Sequence, residues 1–157
     1  LSTPYVRDAL IVVVAQSFTG EMPYRTFADL RNKRIGLVAD EEIGNIVINS
    51  PLYEHSSRQP YFYPRLENLL IALDYGQLEA VIINLLTYYS KITKEKKSYR
   101  PIGDPLVIAT YSYALRKGDD ELLKTINVLL NDMAQDGTLR AISTKWFGAD
   151  VSIVGKY

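Results

Sequence analysis

The chain has 157 residues, enough for one domain or two small lobes, and its 47% hydrophobic and 23% charged content suits an ordinary globular fold. Eighteen Lys and Arg balance eighteen Asp and Glu, so no overall field draws it to nucleic acid, and zero cysteines exclude disulfides and thiolate metal sites. No apolar run approaches the roughly 20 residues of a membrane span, and no secretory signal is visible in it.

Taken in chain order, Ser2, Thr3, Pro4 and Tyr5 lead into an unbroken apolar run over residues 9–15, including Val12, Val13 and Val14. Such a run reads as a strand buried on both faces. Phe27 and Leu30 then fall on a one-turn helix, Asn32 suits a left-handed turn, and a strand starts at Ile35. Asp40, Glu41 and Glu42 open a helix from Ile43 to Ile48 that stops ahead of Pro51. After a polar connection, Tyr61, Phe62 and Tyr63 form a short strand. Pro64 starts a helix lined by Leu66, Leu69, Leu70 and Leu73 and closed by Gly76. Residues 79–83 are a buried strand, 85–92 a helix and 93–97 a charged loop; 99–102 and 106–109 are extended. A strand at Tyr113, Ala114 and Leu115 breaks at Gly118. A helix over 120–135 follows, capped by Asp119 or Asp120, with Leu122, Ile126, Leu129, Leu130 and Met133 on one face. Gly137 ends it, and a shorter helix carries Leu139, Ile142 and Trp146. Strands alternating with helices imply right-handed βαβ units and a mostly parallel sheet.

The closing pattern is specific: Arg116-Lys117-Gly118, Glu121-Leu122, Asn127, Asp136-Gly137 and Lys145-Trp146-Phe147-Gly148. It resembles the C-terminal end of the family 3 extracytoplasmic solute-binding proteins, the amino-acid-binding branch of the type II periplasmic binding proteins. Residues 26–38 resemble that family's Asp-Leu-x-Gly-Lys-x-Val-Gly-Val segment, with Asn32 in place of the glycine. Residues 64–84 resemble its Pro-helix-strand block, with Glu79 at the first acidic position and Asn84 at the last. The resemblance runs from about Tyr5 to Gly148 and implies an α/β fold of two lobes joined by hinge strands. It implies residues 1–8 as the end of lobe 1 and first crossover, 9–109 as lobe 2, and 110–157 as the second crossover and C-terminal part of lobe 1. Most of lobe 1 would then precede Leu1, and the absence of an initiator methionine leads us to expect numbering that begins inside a longer polypeptide. The apolar face of the 120–135 helix is expected to pack on that absent segment, on another chain, or back onto lobe 2.

The resemblance also implies where a ligand sits: on Ala39, Asp40, Glu41, Glu42 and Ile43 for its carboxylate, and on Ile83 and Asn84 for its amino group. Both places depart from the family, which has Gln or Lys, a small residue, Gly and Thr or Ser at the first and an aspartate at the second. Asp40, Glu41 and Glu42 read first as ordinary acidic residues at a helix start, and otherwise as charges that face the cleft and repel a carboxylate; Asn84 reads equally as a strand-end residue bonding nearby backbone. The implied function is an extracytoplasmic binder of an amino acid or related polar solute, closing by hinge motion, with a membrane permease or membrane-bound signalling partner. The alternative is a sensor or interaction module whose pocket takes no standard amino acid. Enzymatic readings find little support: no HExxH, GxSxG, phosphate-binding glycine loop or cysteine nucleophile occurs, and nothing calls for a metal or cofactor. His55, the single histidine, reads as a surface loop residue, and the basic run from Lys94 to Lys97 as a solvated loop.

Overall fold

The apolar run decides where the core lies. In a computed structural model, which describes residues 1–15, 24–54, 58–93 and 95–154 (the Glu41 side chain excepted), it forms most of strand β1 (Val6–Ala15). Side chains alternate along a strand, so β1 feeds two apolar layers. Leu10, Val12 and Val14 pack with Leu30, Ile35, Leu37 and Val47 on one face. Ala9, Ile11 and Val13 pack with Leu69, Leu73, Ile92 and Tyr99 on the other.

The remaining strands are β2 (Ile35–Val38), β3 (Tyr61–Tyr63), β4 (Ala80–Asn84) and β5 (Tyr99–Tyr111), and the sheet order is β3-β2-β4-β1-β5. Pairing is parallel from β3 through β2 to β4, and antiparallel between β1 and both β4 and β5. The expectation of a mostly parallel sheet thus holds for strand direction in every strand except β1, which is reversed. A run buried on both faces carries no directional signal, so its sense could not be read from periodicity. The two extended pieces expected around residue 103 are one long strand, β5. Its register against β1 slips between Leu10 and Val12, where residues 103–106 bulge.

Helices α1 (Glu41–Ile48) and α2 (Leu66–Asp74) follow β2 and β3, and a short α3 (Leu85–Thr87) continues into a π-type turn at Tyr88–Thr93. Pro64 lies just before the α2 cap at Arg65 rather than inside the first turn. Asn32 adopts the left-handed conformation, with φ 58°. The one-turn helix at Phe27–Leu30 is closed by Asp29, whose Oδ2 accepts from the Thr26 N–H at 2.9 Å. Helices α4 (Asp120–Gln135) and α5 (Thr138–Phe147) are joined through Gly137 at φ 83°.

Tyr113, Ala114 and Leu115 do not form the expected strand. Tyr113 instead pairs with the chain's start: its carbonyl accepts from the Ser2 N–H and its own N–H donates to Ser2 Oγ, both at 2.9 Å. The stretch after Gly148 adds a pairing that the sequence did not signal. The Arg7 N–H donates to the Val151 carbonyl, and Ser143 Oγ holds the turn by accepting from the Val151 N–H at 2.7 Å. Asn127 of α4 ties this group together, its Oδ1 accepting from both the N–H and the hydroxyl of Thr3 at 2.8 Å.

At the edge where β2 and β4 begin, Arg34 and Glu79 clamp the parallel pair. Glu79 accepts from the Arg34 backbone N–H at 2.6 Å and from Nε at 3.1 Å. Burial works against the Glu79 charge, but these hydrogen bonds and the guanidinium charge outweigh it and hold the carboxyl below its ordinary 4.5. A depressed folded-state pKa gives stability that is complete above the unfolded value and is lost as pH falls through the folded one. Glu79→Gln is therefore expected to lower the melting temperature by about 2–4 °C at pH 7. Thermal melts from pH 7 to 3 check this: the gap to wild type should close below about pH 4, and a gap independent of pH would refute the assignment.

Candidate functional site

The three parallel strands end side by side at Val38, Tyr63 and Asn84, and each leads directly toward a helix start. Open α/β sheets bind ligands in such crevices, beyond the carboxyl ends of their strands. A cavity of about 110 Å³ lies here, lined by Val38, Ile43, Leu66, Ile83, Asn84 and Thr87 among others. Of the residues expected to meet a ligand, Ile43, Ile83 and Asn84 are brought together in this wall. Ala39, Asp40 and Glu42 are exposed next to it, and the Glu41 side chain lies outside the described residues.

The start of α1 is already occupied by its own chain. Asp40 sits in extended conformation as the cap, and its Oδ1 accepts from the Ile43 N–H at 2.9 Å. Its main-chain carbonyl takes the Gly44 N–H, also at 2.9 Å. The first-turn donor that an anion would seek thus faces a carboxylate on the same polypeptide. The Ala39 N–H is also committed, to the Tyr63 carbonyl at 2.8 Å. Of the two readings of Asp40, the helix cap is the one seen in the hydrogen bonds.

Asn84 bonds a side chain rather than nearby backbone. Its Nδ2 donates to Asp8 Oδ2 at 2.9 Å. Asp8 lies in β1 and is 2% exposed. It also accepts from the Ala9 N–H at 2.8 Å, and from the Leu86 N–H and the Tyr111 hydroxyl, both at 3.2 Å. One carboxylate therefore joins β1, the end of β4, the start of α3 and the end of β5. Burial pushes the Tyr111 phenol above its usual range, and the Asp8 charge and hydrogen bond push it further. Sequence reasoning passed over Asp8. The signal was an acidic residue placed directly against a continuous apolar run, where a charge is tolerated only with several donors.

A second concavity lies at the start of β1, just past the end of β5, between α4 and α5. It is apolar, about 300 Å³, and lined by Tyr5, Tyr113, Ile126, Leu129, Met133 and Ile142 among others. Tyr5 and Tyr113 stack face to face beside it, with centroids 4.5 Å apart. Leu130 is buried beneath the helix, but Leu122 and Leu129 remain 51% and 53% exposed. The apolar face expected for α4 exists and is only partly covered among the described residues. His55 and Lys94 lie outside the described residues. No helix among the described residues is long and apolar enough to cross a membrane.

A sheet with helix starts beyond its parallel strand ends, and two long antiparallel strands at one edge, is the architecture of the type II periplasmic binding proteins. Residues 1–149 match the profile of the bacterial extracellular solute-binding proteins, family 3, and the chain belongs to that family. It is similar to the L-cystine-binding protein TcyJ of Escherichia coli K12, 29% identical over 96% of this chain and 54% of the relative. Among solved structures it is similar to Tv2483 bound to L-arginine, at 29% identity and TM-score 0.68, over 97% of this chain and 60% of that one. It shares its fold with the unliganded, open L-cystine solute receptor of Neisseria gonorrhoeae, at 16% identity and TM-score 0.73, over 96% of this chain and 61% of the receptor. The chain spans about half the length of the curated relatives it matches.

Proposed function

We propose that this chain supplies the larger part of an extracytoplasmic clamp that binds an amino acid or a closely related polar solute and closes on it by hinge motion. Residues 9–109 are read as lobe 2, and residues 1–8 and 110–157 as the crossovers and the C-terminal part of lobe 1. The observation that carries the reading is the crevice at the ends of β2 and β4, with Ile43, Ile83 and Asn84 in one wall. The cystine- and arginine-binding relatives support the choice of solute class. The role is binding rather than catalysis, handing the solute to a membrane permease or reporting it to a membrane-bound signalling partner. The half-covered apolar face of α4 is read as the seat of the remaining part of lobe 1, upstream in the same polypeptide or on another chain.

A thermal-shift panel of L-cystine, L-arginine, L-histidine, polyamines and short peptides tests the reading. A solute at 100 times its Kd stabilises by about 2.7 kcal/mol, which for a chain of this size raises the melting temperature by about 5–10 °C. Turnover of any of these compounds would favour an enzyme instead. Silence throughout would favour the alternative of an interaction module with a degenerate pocket. The Asp40 carboxylate at the α1 start is the observation behind that alternative.

A further inference from the structure

Asp8 is the one charged side chain buried among the described residues. Its four hydrogen-bond partners are the Ala9 and Leu86 N–H groups, the Asn84 amide and the Tyr111 hydroxyl, and none of them is a cation. The carboxylate therefore sits one strand behind the crevice wall without a counterion among those partners. Such a charge raises the affinity of the adjacent space for a cationic group.

The contact with Asn84 directs that charge. A carboxylate only accepts, so the group of Asn84 facing Asp8 must be the amide nitrogen, as the 2.9 Å Nδ2 contact records. Because the amide is planar, fixing Nδ2 toward Asp8 turns Oδ1 to the other side of the group. Asn84 lines the crevice cavity. We propose that Asp8 is a specificity-determining positioning residue: it fixes the Asn84 amide with its oxygen available to a donor in the crevice and adds the negative charge behind it, so that the site selects a solute bearing an ammonium group. This rests on the reading of the crevice as the solute site and deepens it. The acid that asparagine lacks at position 84 is supplied by the neighbouring strand.

The two residues respond to exchange in a way that an ordinary structural bond does not. Asp8→Asn removes the charge, and an amide nitrogen at position 8 facing residue 84 prefers the Asn84 oxygen, which turns Nδ2 outward as a donor. A donor repels an ammonium group. Adding Asn84→Asp to Asp8→Asn restores both requirements, because a carboxylate at position 84 can accept from the new amide with one oxygen and present the other.

Calorimetric titration of the full chain with L-arginine, L-cystine and their N-acetyl forms, which lack the ammonium, decides the matter. Asp8→Asn is expected to weaken binding of the free amino acid roughly ten- to a hundredfold and leave the weak binding of the N-acetyl form unchanged. The double variant should return the free amino acid to within about threefold of wild type, the scatter of context-dependent charge exchanges. Asn84→Leu, which leaves Asp8 three of its donors, covers the case in which Asp8→Asn does not fold; it too should weaken only the free amino acid. Equal losses for free and N-acetyl forms, an unaffected Asp8→Asn or Asn84→Leu, or a folded double variant without recovery would each overturn the inference while leaving the solute site standing. A wild-type chain that binds none of the four compounds would overturn the solute-site reading, and this inference with it.

Discussion

Gly103→Ala is expected to lower the melting temperature by about 4–20 °C, against about 2–8 °C for Gly76→Ala. Both glycines adopt nearly the same left-handed backbone, with φ 65° and 67°, so both alanines pay the same conformational strain of about 1–2 kcal/mol. Their surroundings differ. A Cβ at Gly76 meets nothing within 4 Å, whereas one at Gly103 would lie 2.7 and 2.8 Å from Cζ and Cδ1 of the Phe27 ring. The ring sits on the one-turn helix that the Thr26–Asp29 capping box closes, so it cannot retreat without disturbing that turn. Forcing an atom into packed space of this kind costs about a further 1–3 kcal/mol. Gly103 opens the bulge in β5 where the register against β1 slips, so the flat aromatic face and the kinked strand were shaped together. Thermal melts of the two alanine variants, and of Gly103→Ala in a Phe27→Leu background, provide the check. The excess cost at residue 103 should shrink toward that at residue 76 once the ring is gone, and an excess that survives Phe27→Leu would show that the strain lies in the backbone alone.

Much of this arrangement was legible because its causes are local. The run from Ala9 to Ala15 could only be a doubly buried strand, and it is the strand that feeds both core layers. The apolar spacing, acidic start and following glycine of α4 mark a helix over 120–135, which is where it lies. Asn32 in the left-handed region followed from its small side chain and its place before a strand. What escaped depends on partners distant in sequence. The direction of β1 is set by which end of the sheet the chain enters, and no periodicity encodes that. The stretch at Tyr113 resembles a strand in composition, yet its partner is Ser2, more than a hundred residues away, and a serine hydroxyl takes the place of a second backbone bond. The pairing of Val151 with Arg7 is likewise invisible from either end. Asp8 was passed over for the same reason: its meaning comes from Asn84, Leu86 and Tyr111, which converge on it only in three dimensions. That Ile43, Ile83 and Asn84 share one crevice wall followed from their places at strand ends and a helix start, but the network behind Asn84 did not.

Asp40→Ser is expected to strengthen binding of an amino acid about a hundredfold while changing stability by less than about 1 kcal/mol. Serine caps a helix nearly as well as aspartate, so the bond now made by Asp40 Oδ1 to the Ile43 N–H can be replaced by a neutral oxygen. The small loss that remains is the interaction of a charge with the helix dipole. Affinity responds far more. A solute carboxylate brought to the α1 start meets the Asp40 charge, and two unit charges about 5 Å apart at an effective dielectric of about 20 repel by roughly 3 kcal/mol. Removing one of them frees that amount for binding. The amine that lacks only the carboxylate separates this from a general loosening of the crevice. Agmatine gains nothing from the loss of Asp40, because it has no anion to be repelled there, so the ratio of L-arginine to agmatine affinity should rise by the full factor. Parallel shifts of the two compounds would place Asp40 away from the solute carboxylate. A change confined to L-arginine would mean that the native crevice disfavours carboxylates by construction, with an anion at one end from Asp40 and another behind Asn84 from Asp8.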